Sequence, residues 1–219
     1  EESLIADVDN DGRVEYLTSN SFRKKAAKVE IFEFDDKGEL VLPARHVIEG
    51  FDGRGCFYAS LMVGDVDNDG HNELIIGWKE DQDINMGTIL GYRVTDLVEP
   101  IYTFAYDDTS LDMSYFEKMM VIADADNDGE NELVLSTRGD HHSENISSYH
   151  LGHVFMFTVK DGAINRELLV DFHKDKAESS WLAVGDADND RKNEIVLATG
   201  KGDRTVVGTS YVILVEKLP

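Results

Sequence analysis

The sequence predicts an all-β fold, a β-propeller of four blades of about 60 residues, each a four-stranded antiparallel meander except the last, which lacks its outer strand. Three observations predict it. Four nine-residue segments, Asp7 to Glu15, Asp65 to Glu73, Asp124 to Glu132 and Asp186 to Glu194, align without gaps, their first aspartates 58, 59 and 62 residues apart. Each segment is entered and left through a short β-branched apolar run bounded by Gly or Asp, the pattern of a buried strand rather than a helix. Between the segments, further apolar runs recur in the same order.

Taken in chain order, the runs before the acidic segments are Leu4 to Ala6, Leu61 to Gly64, Met119 to Ala123 and Trp181 to Gly185, and those after them are Tyr16-Leu17, Leu74 to Ile76, Leu133 to Leu135 and Ile195 to Leu197. The third strands are expected at Val29 to Phe34, Thr88 to Val94, His153 to Val159 and Ser210 to Val215. The fourth are expected at Leu40 to Ile48, Val98 to Tyr106 and Ala163 to Phe172. Pro43 and Pro100 fall in this fourth run, where a missing backbone donor is tolerated on an outer edge. The repeats run approximately over 1–55, 56–114, 115–176 and 177–219, and the chain is expected to be a single propeller domain or fragment. Because the fourth repeat stops after its third strand, the array is either a four-bladed ring with one thin blade or part of a larger wheel, the second being favoured. The opening at Glu1, just before a strand, suits a processed product or a fragment.

With 21 basic against 44 acidic residues and a formal charge of −23, the chain lacks the clustered cations that phosphate neutralisation requires, which argues against nucleic acid as a partner. A hydrophobic fraction of 42% with 8 Tyr, 10 Phe and 2 Trp suffices for a core and argues against global disorder. No run reaches the 18 or so apolar residues of a membrane-spanning helix, and no signal peptide is evident. Cys56 is the single cysteine, so an intrachain disulfide and a thiolate zinc site are excluded.

The acidic segments carry the chemistry. Numbering each from 1 to 9, positions 1, 3 and 5 are Asp7, Asp9 and Asp11, then Asp65, Asp67 and Asp69, Asp124, Asp126 and Asp128, and Asp186, Asp188 and Asp190. Such side chains converge if the backbone curls tightly, and Gly at position 6 permits the curl. Carboxylates within roughly 5 Å repel by about 1–3 kcal/mol per pair at intermediate dielectric, so four such clusters imply a cation. All-oxygen donors select calcium, or less readily magnesium, over zinc or copper. Position 7 is Arg13, His71, Glu130 and Lys192, four unlike side chains, which suits a ligand taken from the main-chain carbonyl. Position 9 is Glu15, Glu73, Glu132 and Glu194 and would complete the shell. An EF-hand is excluded, because position 12 is Thr18, Ile76, Leu135 or Leu197 in place of its bidentate Glu. The fourth loop has Arg191 where Gly is expected, and is expected to be the weakest site.

These loops resemble the FG-GAP or VCBS-type repeats of integrin α-subunit propellers and of many secreted microbial proteins, whose calcium loop reads Asp-x-Asp-x-Asp-Gly-x-x-Asp/Glu. The resemblance implies up to four Ca2+ ions, one between the first and second strand of each blade, an extracellular setting, and ligand binding on the face opposite the calcium loops. Arg191, Ala6 and Ala123 depart from the pattern, as does the number of blades.

On that opposite face the sequence offers the segment 138–152, with His141, His142, His150 and, beside it, His153; it reads as a polar surface loop rather than a metal or acid/base site. Arg138-Gly139-Asp140 reads as a chance tripeptide, Asn145 as a glycosylation acceptor conditional on secretion, and Arg23-Lys24-Lys25 with Lys28 as a solvated basic patch. Phe57, Trp78, Tyr106 and Tyr115 read as packing between blades before sugar stacking. No nucleophile elbow, phosphate loop or Ser-His-Asp pattern is present. The favoured function is a non-catalytic calcium-stabilised module for adhesion or for binding a protein or polysaccharide, with self-association through the incomplete fourth blade a further expectation. The alternative is the propeller of a carbohydrate-active enzyme such as a polysaccharide lyase.

Overall fold

A computed structural model describes residues 2–20, 28–49, 58–79, 87–108, 120–137, 153–171, 177–201 and 211–215. They form fifteen strands and no helix, hence no helix long and apolar enough to cross a membrane among the described residues. The strands make four separate antiparallel sheets, each connected as a meander in the manner of a propeller blade. The first holds β1 (Glu2–Ala6), β2 (Glu15–Asn20), β3 (Lys28–Phe32) and β4 (His46–Glu49) in that order. The second holds β5 (Tyr58–Gly64), β6 (Glu73–Lys79), β7 (Gly87–Val94) and β8 (Val98–Asp108). The third holds β9 (Met120–Ala123), β10 (Glu132–Ser136), β11 (His153–Lys160) and β12 (Ala163–Asp171), and the fourth β13 (Ala177–Gly185), β14 (Glu194–Lys201) and β15 (Tyr211–Val215). The fourth sheet has three strands, as the sequence predicts.

Two compact units are present. The first comprises Glu1–Asp65 with Asp69–Thr109, the second Val66–Asn68 with Ser110–Pro219. In the first, Leu17, Val29 and Ile31 of one sheet pack in a common core with Leu61, Leu74, Ile76, Trp78 and Leu90 of the next. In the second, Val134, Val154 and Met156 share a core with Ile195 and Leu197. Middle strands such as β7 and β10 are buried on both faces, which is why they read as continuous apolar runs. Outer strands alternate or face outward, as β12 does, so their sequences carry more charge.

One strand differs from expectation. Leu40 to Ile48 does not form one fourth strand: Leu40 bridges Phe34, and regular pairing begins at His46. The amides of Val41 and Arg45 still reach the carbonyls of Glu33 and Ile31 at 2.9 and 2.8 Å. Pro43, lying between them, has no N–H to give, and Leu40, Val41 and Leu42 are exposed, so the edge interrupts its ladder there. Pro100 does sit within β8, opposite Tyr92 beside a register shift.

Candidate metal centres

Each acidic segment is the turn between the first two strands of its sheet, and a fixed set of hydrogen bonds shapes it. At position 1, the Asp7 carboxylate accepts from the amides of Asp11 at 3.1 Å and Gly12 at 3.0 Å. Asp65 does the same with Asp69 and Gly70, each at 3.0 Å, and Asp186 with Asp190 and Arg191, each at 3.0 Å. Asp124 accepts from Gly129 at 3.2 Å. The aspartates at position 5 turn Oδ1 onto the amides of Arg13, His71, Glu130 and Lys192 at 2.8, 2.9, 2.8 and 2.8 Å. Position 6 is left-handed, with φ of 87°, 90° and 94° at Gly12, Gly70 and Gly129, and 76° at Arg191. An apolar position 2 pins the loop from below: Val8, Val66 and Ala125 are fully buried, and Oε2 of Glu15 and Glu132 accepts from the amides of Val8 and Ala125, each at 2.9 Å. Glu194 holds the amide of Ala187 at 2.7 Å.

This frame gathers the carboxylates. In every loop positions 1, 3 and 9 converge, so that Asp7, Asp9 and Glu15, Asp65, Asp67 and Glu73, Asp124, Asp126 and Glu132, and Asp186, Asp188 and Glu194 each bring ligand atoms within 4.8 Å of one another. Asp11, Asp69, Asp128 and Asp190 stand outside these triads. The glutamates lie in the interior, yet Oε1 of Glu15, Oε1 of Glu132 and Oδ1 of Asp124 are buried with no hydrogen-bond partner. Burial, followed by the charges of the loop aspartates, pushes the Glu15 and Glu132 carboxyls from the ordinary 4.5 up to about 7. Buried, unpartnered carboxylate oxygens on members of a three-carboxylate cluster fit a hard divalent cation.

Two arginines that the sequence did not flag bear on the first two loops. Arg45 Nη1 donates to Asp9 Oδ2 at 2.8 Å and to Glu33, and its Nη2 reaches Asp96 at 3.1 Å. Arg93 Nη2 donates to Asp69 Oδ2 at 2.9 Å and to Oε1 of the buried Glu73 at 3.2 Å. The second loop therefore already carries an internal cation on the oxygen that is left bare in the first and third. The only sequence signal for either was a lone Arg near the end of a third strand, or just ahead of a fourth, in a chain poor in cations.

His153 lies on β11, its Nε2 3.6 Å from Asp171 and its ring 5.6 Å from that of Phe155. Trp78 is a fully buried core residue, whereas Tyr106 is exposed. Lys28 pairs with Glu49 across the β3–β4 edge at 3.1 Å. His141, His142, His150, Arg138-Gly139-Asp140, Asn145, Arg23-Lys24-Lys25, Cys56, Phe57 and Tyr115 lie outside the described residues.

With a repeated hairpin loop, a buried glutamate and a blade-like sheet in place, the family comparison is decisive for one stretch. Residues 7–76 match the model of an FG-GAP-like repeat. The matched stretch begins on Asp7, the first loop aspartate, and ends inside β6, so it contains the first two loops, strands β2 to β5 and the start of β6. It supports reading the chain as an FG-GAP-like repeat protein. No curated protein matches the chain.

Proposed function

We propose that the chain is a calcium-binding β-propeller module of the extracellular, adhesive type, in which Ca2+ secures the hairpins and a protein or polysaccharide is bound at the opposite ends of the sheets. The observation that carries this reading is the fourfold recurrence of a carboxylate triad closed by a buried glutamate. Asp7, Asp9 and Glu15, and their counterparts, would hold the ion directly. The fifth-position aspartates and the main-chain carbonyls of Arg13, His71, Glu130 and Lys192 would supply further oxygens. Calcium suits such a set better than magnesium because it accepts six to eight oxygens in irregular arrangements, whereas magnesium demands a near-ideal octahedron. The bound ion would neutralise mutually repelling carboxylates; nothing in the loops needs it to do chemistry.

The test is thermal unfolding with EDTA, with excess calcium, and with equal magnesium. At calcium 100 times the dissociation constant each occupied site adds about 2.7 kcal/mol, so the melting temperature should fall in EDTA and be restored best by calcium. An unfolding curve indifferent to EDTA defeats the reading. Incubation with acidic polysaccharides, followed for binding and for new chain ends, separates the adhesive module from a lyase.

A further inference from the structure

Position 4 of every loop is asparagine: Asn10, Asn68, Asn127 and Asn189. All four are left-handed, with φ of 63°, 61°, 65° and 67°, a region that asparagine visits more readily than other side chains except glycine. The turn carries the amide out of its own loop. Asn10 Nδ2 donates to the carbonyl of Asn72 at 3.2 Å, while its Oδ1 accepts from the Asn72 amide at 2.7 Å. Asn127 grips Asn193 identically at 3.1 and 2.6 Å, and Asn68 grips Asn131 at 3.2 and 2.7 Å. A carboxamide offers donor and acceptor side by side, so it holds both backbone groups of one residue as a neighbouring strand would. The grip is returned: Nδ2 of Asn72 donates to the carbonyl of Asp7 at 2.8 Å, and Nδ2 of Asn193 to that of Asp124 at 2.7 Å.

Every bond in this clasp touches a residue beside a triad member. Asn10 lies between Asp9 and Asp11, Asp7 is itself in the first triad, and Asn72 immediately precedes Glu73. The third and fourth loops are tied in the same way through Asn127, Asp124 and Asn193, which precedes Glu194. We infer that the asparagine clasp couples cation binding between consecutive loops, so that an ion in one raises the affinity of the other. This rests on the metal-binding reading above, which itself stands on the bare buried oxygens of Glu15 and Glu132 as well as on the carboxylate clusters. An ion seated on Asp9 removes backbone freedom on both sides of Asn10. The clasp passes that order to the residue beside Glu73, and the second ion then loses less entropy on binding. Linkage makes the effect reciprocal. Asn10, Asn72, Asn127 and Asn193 are thus positioning residues for the cation sites.

Calcium titration in calcium-buffered solution, followed by NMR at the amides of Gly12 and Gly70, reads the first and second loops separately. Disabling the second loop with D67N should weaken the calcium affinity read at Gly12 by about fivefold or more. In the N10G background, which keeps a residue at ease in the left-handed region but removes the amide and leaves only the return bond from Asn72 to Asp7, D67N should shift the Gly12 titration by less. The pair N127G and D188N, read at Gly129, repeats the test in the third and fourth loops should N10G fail to fold. Coupling is overturned if D67N does not shift Gly12 in the parent, or shifts it equally in N10G. Absence of calcium response at any of the three glycines overturns the metal reading, and the coupling with it.

Discussion

The third and fourth loops have nearly the same sequence and share most of a hydrogen-bond frame, although Asp186 also accepts from the Asp190 amide where Asp124 Oδ1 has no partner, and the structure seats them differently. In the third, Ala125 is fully buried in a core with Ile195 and Leu197, Glu132 is sealed from solvent, and Gly129 takes the left-handed position. In the fourth, Ala187, Asp186 and Asp188 are exposed, and Arg191 occupies that position with φ of 76°. The amide of Arg191 nonetheless reaches Asp186 at 3.0 Å, as that of Gly129 reaches Asp124 at 3.2 Å. The loop's shape is therefore set by its carboxylates, while the sheet packed against position 2 decides how dry, and how costly without an ion, the cluster becomes.

Removing one carboxylate charge in each loop should expose this difference most strongly. With saturating calcium, E132Q gives up most of a site's contribution, about 2.7 kcal/mol at 100 times the dissociation constant, which for a chain of this length is about 5–10 °C in melting temperature. In EDTA at pH 7.5 the sign inverts, because E132Q removes a buried carboxylate with one bare oxygen and leaves a neutral acceptor for the Ala125 amide. E194Q should move the melt in the same two directions by less. Equal effects in both loops would show that burial does not distinguish them.

A change of pH acts on the same contrast with a smaller effect. In metal-free protein Glu15 and Glu132 hold their protons to about 7, against 4.5 for the ordinary carboxyl. Between those values the native state binds more protons than the unfolded chain, so stability is greatest near the acid end and falls as pH rises through 7. Saturating calcium should abolish that loss. Melting curves of metal-free protein from pH 5 to 8 should slope downward, with a shallower slope in E132Q; a flat profile would mean that water reaches these oxygens.

Much of this was legible in the sequence because it is local. A triad of carboxylates two and eight residues apart announces its chemistry, and four-residue β-branched runs announce buried strands, so the loops and the sheets could be read directly. What escaped depends on partners distant in sequence. Asn10, Asn68 and Asn127 at position 4 look like ordinary turn formers, and their side chains are bonded 62 to 66 residues away. Arg45 and Arg93 matter only because strand pairing carries them to Asp9, Asp69 and Glu73. The apolar run at Leu40 to Leu42 misled for the opposite reason: it is hydrophobic but exposed, and Pro43 withholds the bond that a strand there would need.

The smallest effect tests whether conformation alone separates the third and fourth loops. A side chain in the left-handed region costs about 1 kcal/mol relative to glycine, and no added Cβ at Gly129 would meet any atom within 4 Å. R191G should therefore stabilise the protein by about 1 kcal/mol, and G129A should destabilise it by a similar amount, with neither change losing a hydrogen bond. If strain is the whole difference, R191G also brings the fourth loop's calcium affinity up to that of the third. If R191G gains stability while the affinity stays low, the exposure of Ala187 and the two aspartates controls the ion, and the packing beneath position 2 outweighs the residue at position 6.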